Sequence, residues 1–191
     1  FPQVGKIAEW MVEWMKADRP LTERVVAFAC VEGIIFSSAF ASIYWIKKKN
    51  ILPGLTKANE FIARDERIHT EFAVELYKEL VDKDKLFDRL SQARISEIIS
   101  SAVELTEEFT RGALQVDLIG MNSDDMIKYI KCTANKWATE LGYERLYDVE
   151  NPFTWMVNIG LSNKTNFFES KVSEYSKKSK DDCTFDLDAD F

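Results

Sequence analysis

Histidine, cysteine, proline and glycine are scarce in this chain of 191 residues, which contains one, three, four and seven of them respectively. Scarce glycine and proline, beside abundant alanine, glutamate, lysine, leucine and isoleucine, favour helices over strands. The cysteines are odd in number and far apart, and they form no Cys-x-x-Cys pair. These features predict an all-α domain in a reducing compartment, which indicates the cytoplasm.

Positive charge is also in short supply, since 25 Lys and Arg face 32 Asp and Glu and leave a net charge of −7. No stripe of Lys and Arg with interleaved aromatic residues is present, so we expect no nucleic-acid partner. The sequence shows no signal peptide, and it starts with Phe-Pro rather than Met. We therefore expect the natural start to lie upstream of this sequence.

One apolar run, Val25–Ile46, is long enough to cross a membrane, and three lysines follow it. A central glutamate, three serines and the lack of a second such run argue against a membrane span. We expect a core helix that other helices surround.

Hydrophobic periodicity predicts helices at about residues 3–17, 23–48, 57–80, 86–114, 124–141 and 153–159. Residues 50–54 are predicted to form a turn and residues 81–85 a polar break, and an interruption is expected near Ser91. Thr22, Thr56 and Ser123 are the predicted N-caps, and Gly142 is the predicted residue after the last long helix.

Glu32 is the single charged residue in the apolar run, and burying a carboxylate costs several kcal/mol unless a cation or a proton compensates it. Downstream, Glu66 and His69 are spaced i, i+3, which places both side chains on one face of a helix. A buried Glu on one helix and Glu-x-x-His on the next make half of the ligand set of ferritin-like di-iron or di-manganese bundles. The other interpretations are a buried ion pair from Glu32 to an arginine and a core role for His69.

Residues next to these candidates have two interpretations each. Asp65 is either an acceptor that orients a ligand histidine on another helix or a solvated surface charge. Phe36, Phe40 and Ile62 follow or precede the glutamates by helical turns, so they form either an apolar wall beside a metal or ordinary core packing.

The composition changes near residue 164, so we divide the chain into a helical domain, 1–163, and a flexible tail, 164–191. The tail ends in Phe185, Leu187 and Phe191 among aspartates. This pattern is typical of a docking peptide, although chance apolar residues in a frayed terminus would give the same spacing.

Five stretches resemble the small, radical-generating subunit of class I ribonucleotide reductase of the eukaryotic type. They are ERVVAFACVEGIIFSSAFASIYWIKKKNILPGLTKANEFIARDERIH, LIGMN, LGYERLYDVENPF, KTNFFESKVSEY and TFDLDADF. The stretches are spread along the chain, and the match runs essentially from end to end. The resemblance implies a ferritin-like helical bundle, usually a homodimer, whose di-iron centre and O₂ generate a tyrosyl radical. The large subunit uses that radical to reduce ribonucleotides to deoxyribonucleotides.

The resemblance also implies roles for single residues. Glu32, Glu66 and His69 match iron ligands, with manganese as the other candidate metal, and Asp65 matches the aspartate of the radical-transfer chain. The apolar pocket around the radical corresponds to Phe36, Phe40 and Ile62. Tyr175 matches the tail tyrosine that relays the radical, and the large catalytic subunit would bind Phe185, Leu187 and Phe191.

Several parts that the resemblance implies are missing from the sequence: an Asp ligand, a first Glu-x-x-His pair, the radical tyrosine and a relay tryptophan. Three of six expected ligands remain. We therefore expect the C-terminal portion of a longer subunit, inactive alone, with its radical on a residue outside this chain. The alternatives are a metal-free paralogue or fragment that only binds the large subunit as a regulator, and a ferritin-like iron store, against which the tail argues.

Overall fold

The computed structural model describes residues 2–83 and 85–156, and within them the chain is helical, with one isolated bridge between Leu118 and Met121. The prediction of an all-α fold is confirmed. The helices are α1 (Pro2–Trp14), α2 (Leu21–Cys30), α3 (Ser37–Lys48), α4 (Pro53–Lys78), α5 (Gln92–Ala113) and α6 (Ser123–Glu140). A π-helical segment, Val31–Ile35, joins α2 to α3 and is called the π turn below; a second π segment, Glu79–Lys83, extends α4.

The stretch from α2 through the π turn to α3 forms the centre of the bundle. α2 packs on α4 and α5, and α3 packs on α4 and α6. Val26, Ala29, Ile34 and Ala41 are at most 1% exposed, because helices cover this stretch on several sides. By length and composition, Leu21–Lys48 would suffice to cross a membrane, yet 61% of its most apolar window is buried inside the described protein. Burial among helices explains its apolar composition.

Three predicted N-caps are wrong by one to four residues. Proline causes two of these errors, because its fixed φ suits both the residue before a helix and the first turn of the helix. Pro20 precedes α2, so Thr22 lies inside the helix and is buried. Pro53 begins α4 instead of forming a turn, and the Thr56 hydroxyl donates to its carbonyl. Asn122, rather than Ser123, accepts from the Asp125 amide and caps α6.

The helix ends that the sequence predicts agree with the structure in part. The predicted break at 81–85 is wrong at its start, because the π segment continues to Lys83 and buries Val81. Ser91 is the expected interruption, since its hydroxyl accepts from the Arg94 amide and begins α5. Gly142 adopts φ 86° after α6, as predicted, and the next amide, of Tyr143, donates to the Ala138 carbonyl.

One face of α4 carries large apolar side chains that the described residues leave uncovered. Ile62, Ile68 and Phe72 are between 50% and 63% exposed. Elsewhere on α4, Thr70, Ala73 and Tyr77 are almost completely buried against the core. α4 therefore packs along one side only in the described part of the chain.

Candidate metal centre

Glu32 lies in the π turn, where the helix is locally wider than an α-helix. The Phe36 amide donates to the Val31 carbonyl at 3.3 Å, five residues back. Such a bulge redirects the side chains that it carries, and π turns occur frequently at functional sites. The turn directs Glu32 towards α4, where the other two candidate ligands lie.

Glu66 and His69 lie on α4 at the predicted i, i+3 spacing. His69 Nδ1 is 2.9 Å from Glu66 Oε2, so the two side chains share one hydrogen bond. The Glu66 side chain is 21% exposed and the His69 side chain 53%. The pair therefore lies at the edge of the packed core.

The structure brings all three predicted ligands together. One ligand atom from each of Glu32, Glu66 and His69 lies within 4.8 Å of the other two. Oε2 of Glu32 is buried and has no hydrogen-bond partner among the described residues. A buried carboxylate oxygen without a partner is costly, and a cation would compensate it. Two carboxylates and one imidazole suit iron or manganese, so these residues fit such an ion.

The proton affinities of the three groups are linked. Burial, followed by the adjacent Glu66 carboxylate, raises the pKa of Glu32 to about 7. The hydrogen bond with Glu32 holds the pKa of Glu66 below its usual value, and the hydrogen bond to Glu66 raises that of His69. The metal-free cluster therefore retains protons near neutral pH that a cation would displace.

A close contact beside Glu32 escaped the sequence analysis. The indole of Trp137, on α6, donates to the Gly33 carbonyl at 3.1 Å. A Cβ on Gly33 would meet Trp137 Nε1 at 2.5 Å and Thr70 Cγ2 at 2.7 Å. The signal was a glycine inside a helical run, which costs about 1 kcal/mol relative to alanine and often marks a close approach.

A cavity of about 370 Å³ opens beside Glu32 and Glu66, between α3, α4 and α6. Tyr44, Tyr129 and Thr133 line it, and Arg64, Arg67 and Lys136 add positive charge. Burial lowers the pKa of Lys136. The sequence analysis did not single out these six residues, because they come from separate helices.

The other predicted site residues take different positions. Phe36 and Phe40 are half-buried and pack edge to face with ring centroids 6.4 Å apart, and Phe40 lines the cavity. Ile62 is 50% exposed and does not line it. Asp65 is exposed, with an oxygen 3.5 Å from Arg64 Nε. Tyr175, Phe185, Leu187 and Phe191 lie outside the described residues, as does the predicted boundary at 163 and 164.

An all-helical bundle with a half-buried glutamate facing a Glu-x-x-His pair is typical of the class of helical proteins with carboxylate-rich metal sites. The family model "Ribonucleotide reductase, small chain" matches residues 1–152. The chain is 48% identical to ribonucleoside-diphosphate reductase subunit M2 of Danio rerio, over all of this chain and 49% of that protein. It is 45% identical to the small chain of Vaccinia virus (strain Ankara), over all of this chain and 59% of that protein.

A solved structure agrees with these sequence matches. The ribonucleotide reductase Rnr4 homodimer of Saccharomyces cerevisiae superposes with a TM-score of 0.71 at 31% identity, over 85% of this chain and 52% of that one. The chain belongs to the ribonucleotide reductase small chain family, which confirms the recognised resemblance and the ferritin-like helical fold. It spans about half the length of these relatives.

Proposed function

We propose that this chain acts in the small subunit of ribonucleoside-diphosphate reductase, an oxidoreductase, and that Glu32, Glu66 and His69 supply ligands to its di-iron centre. The observation that carries the proposal is the approach of these three side chains within 4.8 Å, around a buried carboxylate oxygen that lacks a partner. Family membership supports the reaction class.

Each of the three residues has a chemical task at this site. Glu32 would supply a carboxylate from the π turn, and Glu66, which is hydrogen-bonded to His69, would supply a second one from α4. His69 offers an imidazole nitrogen once it loses its proton. When bound, the di-iron centre would use O₂ to oxidise a tyrosine to a stable radical. Three further ligands and that tyrosine are required beyond the described cluster.

The neighbouring residues would protect and transmit the radical. Phe36 and Phe40 present apolar surface one and two turns after Glu32, which suits the exclusion of water from a reactive species. Ile62 would join this wall only if its exposed face is covered. Asp65, also exposed, would accept a hydrogen bond from a histidine ligand in the radical-transfer chain.

The proposed partners are the large catalytic subunit, bound through Phe185, Leu187 and Phe191, and a second small subunit in a homodimer. Tyr175 would relay the radical to the large subunit. These residues lie outside the described part of the chain, so the support comes from the sequence pattern and the family. A cytoplasmic location is part of the same proposal.

Anaerobic Fe(II) binding tests the ligand proposal. Glu66→Ala removes the central ligand, so we expect Fe(II) affinity to fall at least about tenfold. Glu71→Ala is the matched control, because Glu71 is an exposed glutamate on the same helix that pairs with Arg67 at 3.4 Å. Equal Fe(II) binding by the wild-type chain and Glu66→Ala would contradict the ligand assignment.

Binding to the large subunit separates this proposal from a purely regulatory role. Deletion of the last seven residues should abolish the interaction in both cases. A metal-free regulator would bind the large subunit without binding Fe(II), and Glu66→Ala would change nothing. The proposed reductase subunit requires that Glu66→Ala loses iron while it still binds the large subunit.

A further inference from the structure

We propose that Trp137 is a positioning residue for the metal ligand Glu32, acting through its hydrogen bond to the Gly33 carbonyl. The inference rests on the proposed function, because it takes Glu32 as a ligand. It assigns a role in metal binding to a residue of α6 that contributes no ligand atom itself.

The first support is the hydrogen bond that Trp137 donates to the π turn. A π turn replaces the regular α-helical hydrogen bonds by bonds that span five residues, so a side-chain donor to one of its carbonyls can stabilise the turn. The Trp137 indole donates to the Gly33 carbonyl at 3.1 Å, and both residues are buried. This bond reaches the peptide unit directly after Glu32, so it fixes the backbone that orients the carboxylate.

Steric contact is the second support. Gly33 leaves no room for a Cβ, since Trp137 and Thr70 would approach it within 2.5 to 2.7 Å. Thr70 follows His69 directly, and its hydroxyl donates to the Glu66 carbonyl at 2.8 Å. One contact point therefore sets the position of the π turn against both α6 and the ligand-bearing turn of α4.

The setting of the indole is the third support. Trp137 is 6% exposed, and the Lys136 ammonium lies 4.3 Å from its ring centroid. The surrounding core and the cation over the ring restrict rotation of the indole, so its N–H points in a fixed direction. Partners of this kind, which orient a ligand without touching the metal, typically change metal affinity about 10- to 100-fold when they are removed.

Trp45 provides a matched control on the same central stretch. Its indole donates to the Ile119 carbonyl at 3.1 Å, and the Lys49 ammonium lies 5.3 Å from its ring centroid. Trp45→Phe thus removes the same kind of bond at the same distance, with a cation over the ring in both cases. Trp45 lies in α3, outside both the π turn and the turn of α4 that carries Glu66 and His69.

The experiment measures Mn(II) binding to the full chain from the loss of the free-ion EPR signal. We expect Trp137→Phe to weaken Mn(II) binding about 10- to 100-fold, and Trp45→Phe to leave it unchanged. Glu32→Ala should abolish binding. If Glu32→Ala reduces binding but Trp137→Phe behaves like Trp45→Phe, the positioning role is overturned and the ligand assignment stands. If the wild-type chain and Glu32→Ala bind equally, the ligand assignment fails.

Hydrogen exchange of the Phe36 amide tests the turn without any metal. This amide donates to the Val31 carbonyl across the π turn. Trp137→Phe should accelerate its exchange about tenfold or more, and Trp45→Phe should not change it. Equal exchange in both variants would show that Trp137 does not hold the turn, whatever the metal titrations give.

Discussion

Glu32 and Glu66 face each other between the π turn and α4, and their carboxyl groups have pKa values shifted in opposite directions. The pKa of Glu32, the more deeply buried of the two, is raised to about 7, and the pKa of Glu66 is lowered. A pair of carboxyls split in this way binds one proton more tightly than either group does in water. The same closeness that makes the pair a cation site makes it costly when no cation is present.

The first prediction follows from that cost. The pKa of Glu32 rises from its ordinary 4.5 to about 7 on folding, so the folded metal-free chain binds a proton that the unfolded chain releases. The contribution of Glu32 to stability should therefore be lost as the pH rises from about 4.5 to 7 and remain lost above 7. Glu32→Gln should relieve this, raising stability at pH 8 by on the order of 1 kcal/mol, allowing for the solvent that reaches a partly buried group.

Urea unfolding of metal-free protein at pH 8 and at pH 4 measures this effect. The gain from Glu32→Gln should be present at pH 8 and absent at pH 4. Glu9→Gln is the control, because Glu9 is an exposed glutamate on α1. A Glu32→Gln variant that is less stable than the wild type at pH 8 would show that the carboxylate is not strained in the metal-free fold.

A second prediction concerns the space at Gly33. Gly33→Ala places a Cβ against Trp137 and Thr70, so the indole or α4 must move. We expect a loss of about 1–3 kcal/mol in the free energy of unfolding, the usual cost of overpacking, together with weaker Mn(II) binding. Gly54→Ala, in the first turn of α4, meets nothing within 4 Å and should be neutral or slightly stabilising.

The third prediction tests the anchor between α2 and α5. Arg94 donates two hydrogen bonds, of 2.8 and 2.7 Å, to the two carboxylate oxygens of Glu23, whose side chain is 10% exposed. These bonds lower the pKa of Glu23. Glu23→Gln should cost about 2 kcal/mol at pH 7, as expected for a charged hydrogen-bonded pair.

The pH dependence of this pair has the opposite sign to that of Glu32. Because the folded pKa of Glu23 lies below its ordinary 4.5, the stabilisation is present above 4.5 and is lost as the pH falls through the folded value. Glu97→Gln removes the exposed partner of the same arginine, at 2.6 Å, and should change stability by less than about 0.5 kcal/mol. Equal losses from both variants in urea unfolding would contradict this ranking.

A fourth prediction concerns the tail. Tyr175→Phe in the assembled enzyme should leave iron content and the radical signal intact, because the residue is proposed only to relay the radical. Nucleotide reduction with the large subunit should stop. Paired EPR and turnover assays check this, and turnover at the wild-type rate would remove Tyr175 from the pathway.

Local sequence patterns identified the three candidate ligands because each of them has a local signature. Glu32 is conspicuous as a lone charge in an apolar run, and the i, i+3 spacing of Glu66 and His69 fixes their common face. That the three side chains lie close together was inferred from a known ligand pattern, and in the structure one ligand atom of each lies within 4.8 Å of the others. The all-α class was predicted from composition for the same reason, because helix formation depends on residues that are close in sequence.

The features that escaped prediction depend on distant or backbone-level contacts. The bond from Trp137 to Gly33 joins residues 104 positions apart, so no local pattern records it. The π turn inserts one residue into a helical period, which hydrophobic spacing does not resolve. The helix starts were misplaced where proline, rather than a hydroxyl side chain, begins the helix.

The most direct test of the central claim uses the single histidine of this chain. Electron spin echo modulation of Mn(II) bound to untagged protein detects a coordinated imidazole nitrogen, which in this sequence can come from His69 alone. We predict one imidazole nitrogen coupling in the wild-type chain and its loss in His69→Gln. Bound Mn(II) without any nitrogen coupling, or a coupling that survives in His69→Gln, would contradict a metal centre built from Glu32, Glu66 and His69.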